Sequence, residues 1–208
     1  VDLDRVARLI DRLSADGILK NPPIVASLSG SDRYLLLDGA NRASAIQNLD
    51  IAHVLVQVEP FDNPELEVRH WNHVVRDMEA RALIKKASEL PGVRLQNGRP
   101  DDPVRDEAGF LASFLTSKSE AVHLMGSDSL EERVRHLKSF VDVYSRGEAR
   151  LDRVNHEDVE SLRVHHSHFG ALVSFPDFSK EEIRAVAEVE GRLPSGLTRV
   201  LVPRRVLR

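Results

Sequence analysis

The chain has 208 residues, 41% hydrophobic and 30% charged, enough to bury a substantial core as one large domain or two small ones. It contains no cysteine, which excludes disulfides, thiolate metal sites and thiol catalysis together. No apolar run approaches the roughly 20 residues that cross a bilayer, nothing at the N-terminus resembles a secretory signal, and the net charge of -4 argues against a duplex-DNA partner; a cytoplasmic protein with no membrane partner is expected.

In chain order, Leu3, Val6, Leu9, Ile10 and Leu13 recur at helical spacing, with Gly17 as the stop. Pro22-Pro23 leads into a strand over 24–28, Ser29-Gly30-Ser31-Asp32 has hairpin chemistry, and a second strand covers 34–37. A helix over about 41–49 and a strand over 53–58 complete a compact unit that ends near Pro60. The alternation of Leu66, Val68 and His70 ahead of Trp71-Asn72-His73 predicts another strand, and residues 76–90 read as a helix with Met78, Leu83, Ile84, Ala87 and Leu90 on its apolar side. Residues 110–115 and 121–124 read as a second hairpin. Capping boxes at Ser129 with Glu132 and at Ser179 with Glu182 open helices running through Val141 and to about Val189. A turn at Leu193-Pro194-Ser195-Gly196 and a strand to Val202 follow. Helices and hairpins without regular βαβ alternation indicate an α+β fold.

Most of the chemistry is concentrated in Tyr34-Leu35-Leu36-Leu37-Asp38-Gly39-Ala40-Asn41-Arg42, an apolar strand that turns at once into a helix. Such a turn presents backbone N–H groups and the positive end of the helix dipole to one point, a binding place for phosphate. Arg42 adds a fork of donors suited to phosphate oxygens, and Asp38 is placed to hold a metal ion or orient a hydroxyl. The same residues also read as an ordinary strand–turn–helix in which Gly39 relaxes the turn and Asp38 caps the helix. Elsewhere, His165, His166 and His168 read as a polar turn, because no carboxylate is spaced to complete a chelate. No metal-ligand set is assigned. His53 and His70 read as partly buried strand histidines, and Lys85-Lys86, Glu131-Glu132-Arg133 and Arg204-Arg205 as solvated faces, the last able to steer anions.

The order of helix, NPPIV strand, hairpin, LLLDGANRASAIQNL and HVLVQV resembles the ParB/sulfiredoxin-like nucleotide-binding fold, whose members wrap a G-x-x-R turn, here Gly39 to Arg42, around nucleotide phosphates. Within it the chain is most similar to the free L-serine kinases, among them the kinase that supplies a staphyloferrin-type siderophore precursor. Trp71-Asn72-His73-Val74-Val75 and Leu193-Pro194-Ser195-Gly196-Leu197-Thr198-Arg199 carry that closer likeness. The resemblance implies a ParB/sulfiredoxin-like core over 1–60 and an α+β portion over 61–208 of mixed helices and hairpins that folds back to complete the site. Sulfiredoxin chemistry needs a cysteine where this chain has Ala40. Chromosome-partition ParB proteins follow the core with a helix-turn-helix that is not evident here, and a nuclease would need more carboxylates than Asp38.

The kinase likeness implies phosphate transfer from ATP or ADP, with Mg²⁺, to the hydroxyl of free L-serine, giving O-phospho-L-serine. Gly39, Ala40 and Asn41 would supply backbone donors, Arg42 the cation and Asp38 the catalytic carboxylate. His73 would be a donor to the transferred group or a proton shuttle. Trp71 and Asn72 would shape the serine pocket, with Thr198 and Arg199 on the carboxylate or phosphates. The family's general-base glutamate falls immediately before Val1 in this register, so a longer protein carrying it is expected. The competing expectation is a ParB-like regulatory protein that binds nucleotide, and DNA through a basic surface, without turnover.

Overall fold

A computed structural model of the chain describes residues 3–28, 32–116, 120–145, 150–155, 169–189 and 191–207. They fall into two compact units, Val1–Arg69 with Arg199–Arg208, and His70–Thr198. The expected hairpin residues 29–31 and the histidines 165, 166 and 168 lie outside the described residues.

In the first unit, α1 (Leu3–Asp16) follows the apolar spacing and stops where the Gly17 N–H bonds the Leu13 carbonyl at 2.9 Å. It packs on α2 (Ala40–Asn48), and Val6, Ala45 and Ile46 are buried. Strands β1 (Ile24–Ser27) and β2 (Tyr34–Asp38) pair antiparallel, while β3 (Gln57–Glu59) joins β1 in parallel, giving the order β2-β1-β3. The connection from β2 to β3 is therefore a crossover through α2. The strand expected over 53–58 is shorter and shifted. Its ladder with β1 begins only at Gln57, whose N–H also bonds the Pro23 carbonyl at 2.9 Å. His53, expected to be partly buried, is exposed with Val54 and Leu55.

The second unit is organised on an antiparallel sheet. Strands β5 (Asn72–Arg76), β6 (Arg94–Gly98), β7 (Phe110–Thr116), β8 (Ala121–Met125), β9 (Arg150–Val154) and β10 (Phe169–Ser174) lie in the order β6-β8-β7-β10-β5-β9. The hairpin expected at 110–124 is β7–β8. Residues 110–115 of β7 are all buried, so its sequence reads as an apolar run interrupted only by Ser113 rather than as an alternation. Helices α3 (Ala80–Ser88) and α4 (Leu130–Ser145) pack against β7, and α5 (Lys180–Glu188) packs against α4. The centre is aromatic. Phe140 meets Phe114 and Tyr144 edge-on at 5.2 and 5.4 Å between ring centroids, and all three are fully buried. Each such burial stabilises by about 1.5–3 kcal/mol relative to an exposed ring.

Two boundaries differ from expectation. The helix expected from residue 76 starts at Ala80, because Arg76 still belongs to β5 and Asp77 takes φ 62°. At α4 the Ser129 N–H bonds Ser127 Oγ at 3.2 Å, and Glu132 turns to Ser127 and Arg135, so the expected reciprocal box with Ser129 is replaced. At α5 the Ser179–Glu182 capping box is present in full. Strand β4 (Glu67–His70) pairs with β11 (Thr198–Leu201), and the chain passes between the units after Arg69 and after Thr198. Among the described residues no helix is long and apolar enough to cross a membrane.

Candidate active site

In the first unit β2 ends at Asp38 and the chain reverses at Gly39, whose φ of 97° belongs to the left-handed region. A Cβ at this position would stand 3.0 Å from Pro23 Cα, Pro23 Cβ and Arg42 Nη2, so the close approach also requires glycine. No side chain caps α2. Its first intrahelical bond runs from the Ala43 N–H to the Gly39 carbonyl at 2.9 Å, and the helix itself offers no acceptor to the N–H groups of Ala40, Asn41 and Arg42. Such a terminus favours an anion.

Asp38 does not cap the helix. Its Oδ2 accepts two guanidinium bonds, from Arg42 Nη2 at 2.9 Å and from Arg205 Nη2 at 2.5 Å. Burial would raise the Asp38 pKa, but the Arg205 hydrogen bond and the charges of Arg42 and Arg205 outweigh it and hold the carboxylate below its ordinary range. Arg42 is also braced through Nη1 on the carbonyls of Asn21 and Pro22. Arg205 was expected as part of a solvated basic face able to steer anions; its contact with Asp38 spans 167 positions and left no local signal. It is delivered by Gln57, whose Nε2 donates to the Arg204 carbonyl at 2.7 Å while its Oε1 accepts the Val206 N–H at 2.8 Å.

In the second unit, Trp71, Asn72 and His73 enter β5. Trp71 is half-buried, and its N–H donates to the Leu197 carbonyl at 2.8 Å. Asn72 and His73 are buried. The His73 Nε2–H donates to the Gly196 carbonyl at 2.9 Å, which makes Nδ1 the acceptor, and the Tyr144 hydroxyl donates to it at 2.8 Å. Burial, chiefly, lowers the His73 pKa from 6.5 to about 4, so the ring is neutral near pH 7. Burial likewise raises the Tyr144 pKa well above 10. With both nitrogens engaged, His73 holds the Gly196 turn in this arrangement and offers no nitrogen to a ligand. Gly196 has φ 80°, and a Cβ there would run into the Arg153 guanidinium. The turn leads to Thr198 and then Arg199, both half-buried at the start of β11.

The structure thus gathers Asp38, Gly39, Ala40, Asn41 and Arg42, with Arg205, in the first unit, and Trp71, Asn72 and His73 with the Gly196–Thr198 turn in the second. Two surface concavities, one lined by Ala43, Ile46, Ile51 and Val54 and one along α1 by Arg5, Arg8 and Arg12, do not include residues 38–42 in their lining. Among the described residues no group of three or more His, Asp or Glu is placed to hold a metal ion.

No model of a known protein family matches the chain. An ATP-dependent L-serine kinase from Staphylothermus marinus is 25% identical over 162 residues, 76% of this chain and 62% of that relative. The chain therefore spans a little under two thirds of that relative's length. Among solved structures, a variant free serine kinase in complex with AMP superposes with a TM-score of 0.80 at 15% identity, covering 99% of this chain and 83% of that one. The fold is that of the free serine kinases. C-terminally truncated SbnI from Staphylococcus aureus shares it, with a TM-score of 0.73, 18% identity, and coverage of 100% of this chain and 79% of that one. So does a conserved hypothetical protein from Pyrococcus furiosus, with a TM-score of 0.79, 15% identity, and coverage of 100% and 87%.

Proposed function

We propose that this chain is a free L-serine kinase that transfers a phosphate from ATP or ADP to the serine hydroxyl, giving O-phospho-L-serine. The observation that carries the proposal is the Asp38–Gly39–Arg42 turn, an ionised carboxylate with two guanidiniums on it beside the N-terminus of α2, which no side chain caps. The likeness to an ATP-dependent L-serine kinase and to free serine kinase structures supports it.

Phosphoryl transfer is mostly positioning and charge stabilisation. The N–H groups opening α2 receive the nucleotide phosphates. Both guanidiniums sit on Oδ2 of Asp38, so the carboxylate is fixed in rotation and Oδ1 takes no protein partner among the described residues. Oδ1 orients the serine hydroxyl, whose oxygen forms the new bond to phosphorus and gives up its proton to water while the bond from phosphorus to the leaving nucleotide oxygen breaks. Mg²⁺ is commonly bound through one carboxylate plus phosphate oxygens, and the lone Asp38 fits that donor set. The ion would neutralise charge on the phosphates. Thr198 and Arg199 recognise the amino acid's carboxylate or the phosphates, and Trp71 and Asn72 shape the serine pocket. His73, neutral and buried, positions the Gly196 turn that carries Thr198.

The test is phosphorus NMR of the protein with Mg²⁺, L-serine and ATP or ADP in parallel. A phosphomonoester that forms only with serine is the expected result, and the productive nucleotide names the donor. Asp38→Asn should abolish that signal while nucleotide affinity stays within about threefold. Nucleotide binding without any phosphoserine would replace the proposal with the regulatory alternative.

A further inference from the structure

Two guanidiniums meet Asp38, and they are committed differently. Arg42 has a side chain only 17% exposed, and its fork is divided between Asp38 and the backbone carbonyls ahead of β1. It ties β2, the turn and the Pro22-Pro23 approach together. Arg205 has a side chain 38% exposed, and its one contact among the described residues is Nη2 on Asp38. A guanidinium is a rigid planar fork, so one nitrogen fixed on a carboxylate still leaves Nε and Nη1 to donate.

Arg205 is not at this place by chance of side-chain wandering. Gln57 grips the backbone on both sides of it, at Arg204 and Val206, and the Gln57 N–H bonds the Pro23 carbonyl. Pro23 in turn packs against the position where Gly39 would carry a Cβ. The strap after β11, the start of β3 and the phosphate turn are therefore linked contact by contact inside one unit. An exposed ion pair such as Asp38–Arg205 is weak, whereas a guanidinium on phosphate makes short charge-assisted bonds.

We infer that Arg205 is the guanidinium that meets the phosphate chain of a nucleoside di- or triphosphate at this turn, while Arg42 braces the turn itself. The inference rests on the nucleotide-binding part of the function proposed above.

Calorimetric titration of ADP and of adenosine into the wild type, Arg205→Gln, Arg205→Lys and Arg42→Gln, with thermal unfolding of each, tests it. Arg205→Gln should weaken ADP about tenfold or more, as the loss of a charge-assisted contact does, with adenosine affinity and unfolding temperature close to wild type. Arg205→Lys should recover part of the loss, and Arg42→Gln should lower the unfolding temperature as well as the affinity. Gln57→Leu, which loosens the strap without touching Arg205, should weaken ADP in the same direction. ADP affinity within about twofold of wild type in Arg205→Gln overturns the inference, as does an equal loss for adenosine. A wild type that binds ADP but makes no phosphoserine removes the kinase proposal and leaves this inference standing. A wild type that binds no ADP removes both.

Discussion

The turns at Gly39 and Gly196 both bend through a positive φ, at 97° and 80°, yet different forces hold them. The first is held by charges at the surface of the unit, Asp38 and Arg205 partly exposed and Arg42 more covered. The second rests on His73, fully buried with both nitrogens bonded inside an aromatic core. The surroundings differ in the same way. Every large exposed hydrophobic side chain among the described residues belongs to the first unit except Val189. A turn made of surface charge can exchange its partners for an anion at small cost, whereas a turn seated on a buried aromatic core keeps one geometry. Anion binding therefore suits the first and fixed positioning the second.

Three perturbations should separate them, beginning with the largest. Phe140→Ala removes a fully buried ring between Phe114 and Tyr144 and should cost about 3–5 kcal/mol in urea unfolding; a loss below about 1 kcal/mol would contradict the packing described. Acid comes next. The folded His73 stays neutral down to about 4, while the unfolded ring takes up its proton below 6.5. The unfolded chain thus binds more protons in that window. Stability from this group is complete above pH 6.5 and is lost as pH falls toward about 4, at roughly 1.4 kcal/mol per pH unit. His73→Gln should start less stable but show a shallower decline over the same range, and an unchanged slope would mean that the ring is not held neutral. Smallest is Gly39→Ala, which forces a Cβ against Pro23 at a positive φ. It should cost about 1–2 kcal/mol and weaken ADP, with the pH profile from His73 unaltered.

Elements with a local signature were legible. The apolar spacing of α1, the Asp38-Gly39 stop of β2 and the Ser179–Glu182 box all act within a few residues, and the structure carries each of them. Strands β6, β9 and β10 were not foreseen. β10 is central, paired with β5 and β7, and its composition says little about which strands flank it. Residues 53–55 have strand composition but no ladder partner, and composition cannot supply one.

The candidate site divides along the same line. The residues that bend the chain at Gly39 and open α2 are neighbours in sequence, so turn chemistry alone determined a shape suited to an anion. The two arginines on Asp38 are not equivalent in that respect. Arg42 lies one helical turn beyond the aspartate, within reach of local geometry. Arg205 comes from 167 positions away, through a strap that only the pairing of Gln57 with Arg204 and Val206 brings home. His73 was visible as a residue but not in its role, because burial and two hydrogen-bond partners decide that role, and both are properties of the folded core. Local bonding determined the shape of the site. Long-range packing decided its charges and which of its groups are free to act.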